Sequence, residues 1–370
     1  MINCILFRRI LGWVSLAALA GCGQLSRDPS VQYSYQIPKS VEDGWSVASL
    51  QSQQMNPKPI EQLTDMITTE QYRNIHSLLI SKNGKLVYEN YFGGYTESVP
   101  ENIYSATKSI TSALIGIALD KRFIKSLDEK VVDYFPKEAP LPNLTDAKKQ
   151  ITIRDLLTMS SGLDCNDDDS QSPGREEKMY QAQDWIRYTL SLPMENSPGT
   201  QTHYCTGGVA VLGGILQQAT GKTVDEFAQL YLWDPLTIKP IRWDRMPAGP
   251  VNTSGRLFIR PRDMAKIGQL YLNKGQWQGR QVISADWIDA STRHQTLLRN
   301  QEYGYLWWRR QFTVDDKIYP AYYASGNGGQ FIVVIPSADL VVVSTAGNLN
   351  SGLTAQIFGM IRFGILPALL

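Results

Sequence analysis

Histidine is scarce in this chain: His76, His203 and His294 are the only three. No G-x-S-x-G pentapeptide occurs, which removes the usual setting of a serine nucleophile served by a histidine and an aspartate. Cysteine is almost as rare, with Cys4, Cys22, Cys165 and Cys205, and no cysteine and histidine cluster has zinc spacing. Charge of one sign is lacking too, because 36 basic residues face 35 acidic ones without a basic run. Nothing in that balance draws nucleic acid or a strongly charged polymer. Internal repeats and long low-complexity tracts are absent, and what remains is long enough for one large domain with a substantial core.

Arg8 and Arg9 precede an apolar stretch from Ile10 to Ala20, and the chain then runs Leu19-Ala20-Gly21-Cys22. The charged start, short apolar core and small residues before a cut read as an export signal over residues 1–21, too short to cross a membrane and stay. The tetrapeptide resembles the bacterial lipoprotein processing box, which implies Cys22 as a lipidated first residue of the mature chain. Plain cleavage with an unmodified thiol is the other reading. Gly23 in place of aspartate implies the outer membrane, facing the periplasm, so membrane contact is expected through the anchor alone. Removing the signal changes the formal charge from +1 to −1, since Arg8 and Arg9 leave and no acid does. Residues 22–60, rich in Gln, Ser, Pro and Asn, read as a tether with local packing at Asp43-Gly44-Trp45, ahead of a domain over 61–370. Two thiols left in an oxidising compartment are expected to pair as Cys165–Cys205, with buried free thiols as the alternative.

Alternating apolar residues flank Lys82-Asn83-Gly84, a turn signal, so residues 76–80 and 85–92 form a β-hairpin. A second hairpin is expected from residues 330–335 and 340–344, preceded by a strand over 321–325. Between them lies a mostly helical stretch from about 110 to 298, and residues 353–370 carry apolar positions that suit a helix packed on the sheet. An antiparallel sheet built from both chain ends around a helical middle is an α+β fold.

Tyr104-Ser105-Ala106-Thr107-Lys108 sets a serine three residues ahead of a lysine at the start of a run with Ile110, Leu114, Ile117 and Ala118 at helical spacing. On one helix face the Ser105 hydroxyl and the Lys108 amine can touch, and a partly desolvated lysine can take the serine proton or hold the base that does. Backbone N–H groups at that helix start can stabilise an oxyanion. The spacing also arises by chance, and a serine at this place can simply cap a structural helix.

Three further stretches give the serine its context. Ile151-Thr152-Ile153-Arg154-Asp155-Leu156-Leu157-Thr158-Met159-Ser160-Ser161-Gly162-Leu163 resembles a signature of the penicillin-recognising serine hydrolases, in the branch holding class C β-lactamases, related esterases and 6-aminohexanoate-dimer hydrolases. Pro198-Gly199-Thr200 with His203-Tyr204-Cys205-Thr206 resembles that family's tyrosine motif, and Ser325-Gly326-Asn327-Gly328-Gly329-Gln330 its third motif. Asp43-Gly44-Trp45, Arg260-Pro261-Arg262-Asp263-Met264 and Gln278-Gly279-Arg280 extend the resemblance, in order, from residue 43 onward.

The resemblance implies Ser105, Lys108 and Tyr204 as the catalytic group, with the backbone N–H of Ser105 and of Asn327 as the oxyanion hole. With Tyr204 so placed, the expected Cys165–Cys205 bridge lies next to it and ties two active-site loops together. Which of Lys108 and Tyr204 accepts the proton stays open. The implied reaction is hydrolysis of a small ester or amide through an acyl-enzyme, a scheme that calls for no metal or organic cofactor. Two departures bear on the substrate. The third motif has neither lysine nor histidine, which weakens carboxylate recognition, and Thr206 stands where lactamases commonly carry asparagine. Both lean toward the esterase and amidase branch. A β-lactamase or D-alanyl-D-alanine peptidase, or a sensor that kept the fold without turnover, are the alternatives, and the sequence leaves the oligomeric state open. Trp307 and Trp308 are expected in the core, with loops over 165–180 and 301–308 shaping the pocket.

Overall fold

The computed structural model describes residues 32–135, 141–239 and 241–369. The export signal over 1–21 and Cys22 lie outside the described residues. Of two compact units, the larger runs from Tyr33 to Leu370.

Its centre is an eight-stranded antiparallel sheet. The strands are β1 (Ile75–Lys82), β2 (Lys85–Tyr91), β3 (Thr296–Leu298), β4 (Gln301–Tyr303), β5 (Trp308–Val314), β6 (Lys317–Gly326), β7 (Gln330–Ile335) and β8 (Leu340–Ala346). Their spatial order is β2-β1-β8-β7-β6-β5-β4-β3, so the first and last strands of the chain pair directly. That joint runs from Ile75 opposite Ala346 to Lys82 opposite Leu340. Both β7 and β8 are buried along their whole length, which their unbroken Phe, Ile, Leu and Val runs allow.

Helices cover the sheet and fill the middle of the chain, as the α+β reading expects. Helix α1 (Pro57–Thr68) begins with Pro57 at its first position, and Asn56 accepts from the Lys58 N–H. Helix α2 (Thr107–Asp120) is buried on every side from Thr107 to Ala118, so full burial of Ile110, Leu114 and Ile117 stabilises it by roughly 2 kcal/mol each. Helix α3 (Thr206–Thr220) packs on α2 and ends at Gly221, whose φ of 65° suits a glycine C-cap. Helix α4 (Pro261–Leu272) lies across β1, β7 and β8. Gly268 permits that approach, because a Cβ there would sit 2.4 Å from a Val341 methyl.

Two expectations change. Packing is as expected at Asp43-Gly44-Trp45, where the Trp45 indole donates to the Arg262 carbonyl at 3.1 Å, but it extends from Tyr33 onward: Leu50 and Met55 are fully buried and the Tyr35 hydroxyl donates to the Val87 carbonyl at 2.8 Å. The polar composition of this stretch concealed aromatic and aliphatic anchors spaced too irregularly to show a period. The C-terminal helix is also shorter than expected, with an α-turn over Gln356–Met360 followed by a π-helical stretch over Ile361–Ile365 and a 3-10 turn over Leu366–Ala368. Pro367 lacks the N–H that would continue it.

Candidate active site

Ser105 sits in a 3-10 turn, Tyr104–Ala106, that leads directly into α2. Tyr104 has a φ of 46°, an unfavourable conformation for a bulky residue, and Asn102 Oδ1 holds its N–H at 2.9 Å. Ser105 is half-buried, whereas Lys108 is only 2% exposed. A buried amine needs partners. Lys108 Nζ donates to Ser105 Oγ at 3.0 Å and to the Ser254 carbonyl at 2.9 Å, and it lies 5.1 Å from the centre of the Tyr204 ring. Serine, lysine and tyrosine, scattered over a hundred residues of sequence, therefore share one site.

Ser254 was not legible in the sequence. Asn252 Oδ1 accepts from both the N–H and the hydroxyl of Ser254, while the Thr253 carbonyl accepts from Thr111 in α2 and its hydroxyl donates to the Val209 carbonyl in α3. The Asn252-Thr253-Ser254 turn thus pins both helices and aims one carbonyl at the lysine. A short polar tripeptide carries no period by which to find it.

Tyr204 is fixed along its backbone. His203 N–H donates to the Met159 carbonyl at 3.0 Å, and the Tyr204 carbonyl accepts from Asp167 N–H at 2.8 Å. The next residue, Cys205, is bridged to Cys165 with a Cα–Cα distance of 5.3 Å and caps α3 by accepting from Gly208 N–H. The 151–163 stretch supplies the support: Thr152 and Asp155 form a reciprocal cap on a short helix, Ile153–Leu157, that delivers Met159 to the tyrosine loop. Trp308 stacks beside Tyr204 at 6.1 Å, and Trp307 is fully buried in the core.

Asp167 is a second residue the sequence did not single out. Its carboxylate accepts from Thr206 N–H and Glu176 N–H, each at 2.9 Å. Burial pushes its carboxyl up to about 6, although Thr206 and the Lys108 charge pull it back. Beside it, Asp168 holds Arg299, whose guanidinium lies 4.2 Å from the centre of the Tyr204 ring.

The third motif ends β6. A Cβ on Gly326 would fall 2.1 Å from the carbonyl oxygen of Ile103, two residues before Ser105, so the strand end abuts the serine's turn. Asn327 follows, and its side chain exchanges two hydrogen bonds with Asn350, at 2.7 Å and 3.0 Å. Among the described residues no group of histidine, cysteine, aspartate or glutamate is placed to hold a metal ion.

A model of the Beta-lactamase family matches residues 64–350. The 6-aminohexanoate-dimer hydrolase of Paenarthrobacter ureafaciens is 23% identical over 228 residues, which cover 58% of this chain and 56% of that protein's length. A penicillin-binding protein homologue from Caulobacter crescentus superposes with a TM-score of 0.65 at 14% identity, covering 85% of this chain and 97% of that one. A family VIII carboxylesterase does so with a TM-score of 0.64 at 18% identity, covering 84% and 96%. At those identities the two structures speak for the fold. Because the matched span takes in Ser105, Lys108, Tyr204 and Asn327 within this α+β architecture, the chain belongs to the beta-lactamase family.

Proposed function

We propose that the protein is a serine hydrolase that cleaves a small ester or amide through an acyl-enzyme on Ser105. The observation that carries this reading is the contact of 3.0 Å between Lys108 Nζ and Ser105 Oγ, made by a buried lysine beside the Tyr204 ring. In this scheme the Lys108–Tyr204 pair takes the one proton of Ser105, onto whichever member is unprotonated, as the serine oxygen attacks the substrate carbonyl. The backbone N–H groups of Ser105 and Asn327 hold the oxyanion, and the closeness of the Gly326 backbone to Ile103 supports their pairing. The proton then passes to the leaving oxygen or nitrogen as its bond to the acyl carbon breaks. Water repeats the sequence on the acyl-enzyme and frees the acid.

The side chains around the motifs favour simple acyl substrates. Asn327 brings no cation and spends its amide on Asn350, and Thr206 offers a shorter side chain where an asparagine could hold an amide. The sequence around Cys22 supports export and lipid anchoring at the bacterial envelope, where such a hydrolase would meet small substrates.

The test is hydrolysis of short-chain p-nitrophenyl esters together with labelling by a fluorophosphonate. Ser105→Ala is expected to lose both, with turnover down by about 10⁴-fold or more. Labelling that persists on another residue would overturn the assignment. A fluorescent penicillin as second probe shows whether β-lactams enter, and its rapid turnover would replace the ester reading with a lactamase one.

A further inference from the structure

The hairpin of β3 and β4 turns through Arg299-Asn300, with φ of 51° and 59°. Two adjacent left-handed residues make a type I′ turn, which glycine or asparagine usually occupies, so an arginine in the first position is held at a conformational cost. Its side chain crosses the active-site face. The guanidinium carbon lies 4.2 Å from the Tyr204 ring centre, and Nε and one terminal nitrogen donate to the two oxygens of Asp168 at 2.6 Å each. Asp168 adjoins Asp167, which holds the Tyr204 carbonyl and Thr206 N–H, and Thr202 donates to the Leu297 carbonyl in β3 at 2.7 Å. Hairpin, tyrosine loop and the loop bridged at Cys165 are thereby tied together over one phenol. The pair itself is 43% and 50% exposed, so it adds little to overall stability, and its fork geometry is better suited to fixing an orientation.

We propose that Arg299, held by Asp168, is a positioning residue for Tyr204: it fixes the ring beside Lys108 and sets a guanidinium charge near the group that carries the proton to the leaving atom. This rests on the reading of Tyr204 as a proton carrier. As its proton passes to the leaving atom the phenol oxygen gains negative charge, and a cation 4.2 Å from the ring centre attracts that charge. Arg299 neither takes nor gives a proton. The step it assists is the one in which the bond from the acyl carbon to the leaving oxygen breaks as that oxygen is protonated.

The experiment compares two esters of one acyl group, a p-nitrophenyl ester whose leaving group departs without a proton and an ethyl ester whose leaving group needs one. Arg299→Gln is expected to lower kcat on the ethyl ester about tenfold with KM within twofold, and to lower it less on the p-nitrophenyl ester. Arg299→Lys recovers part of the loss, since it keeps the charge without the fork, and Asp168→Asn falls between the two. A change in KM alone, or equal losses on both esters with lysine no better than glutamine, overturns the proposal. Should Arg299→Gln fail to fold, Arg299→Lys against wild type is read on the same kcat split. Undiminished turnover by Tyr204→Phe would instead remove the parent reading, whatever Arg299 does.

Discussion

Lys108 and Asp167 show how differently two buried charges can be treated within one site. The lysine finds an oxygen partner on each side, Ser105 and Ser254, and stays close to a phenol ring. Asp167 has backbone N–H partners yet no direct cation, and burial lifts its carboxyl from 3.8 to about 6. The sign of the consequence follows. Between those two values the folded protein holds a proton that the unfolded chain has released, so stability falls as pH rises through that window and is level above it. The difference between 3.8 and about 6 corresponds to at most about 3 kcal/mol. Urea midpoints from pH 4 to pH 7 check this: Asp167→Asn should flatten the slope, at the expense of one backbone N–H left facing an amide nitrogen. A slope unchanged in that variant would assign the titration to another group.

At the scale of elements, the segment from Ile151 to Leu163 reaches the tyrosine loop through Met159, whose sulfur accepts from Cys205 N–H at 3.4 Å and whose carbonyl accepts from His203 N–H. Its cap and short helix carry the Met159 carbonyl to His203 and so hold the tyrosine loop. The third motif acts through an absence, since the hydrogen side of Gly326 is what lets β6 close on the serine's turn. Gly326→Ala would drive a methyl to 2.1 Å from the Ile103 oxygen, a backbone atom that no rotamer change can move away. Turnover of a p-nitrophenyl ester should fall about 100-fold while the far-UV circular dichroism stays unchanged. Normal kcat in this variant would show that β6 and the Ser105 turn need not touch. The first hairpin was legible from alternation around Asn83-Gly84, the second from two apolar runs flanking residues 336–339, and the grouping of Ser105, Lys108 and Tyr204 from their motifs. Asn252-Thr253-Ser254, Asp167 and the Arg299 turn were not, because their roles depend on partners more than thirty residues away and leave no local pattern. The packing of residues 33–60 beyond Asp43-Gly44-Trp45 escaped for the same reason: Tyr35 finds its partner at Val87.

For the whole molecule, β1 pairs with β8, so one sheet joins strands from early and late in the sequence, and the serine's turn rests against the end of β6 within it. The bridge between Cys165 and Cys205 secures a different part. It closes a separation of 40 residues in the helical middle, which by chain entropy alone stabilises the fold by about 4 kcal/mol. What it anchors is Tyr204 and the Asp167 loop, whereas the Ser105–Lys108 contact belongs to the turn before α2 and to Ser254. The two halves of the chemistry should therefore come apart when the bridge is removed. Replacing both cysteines by alanine is expected to lower the denaturation midpoint and to slow ester turnover about tenfold or more, through a wandering phenol. Labelling of Ser105 by a fluorophosphonate, which needs less help from a proton donor, should slow much less. Equal slowing of turnover and labelling would mean that the bridge supports the nucleophile as well, and the division between a sheet-built serine and a loop-built tyrosine would have to be abandoned.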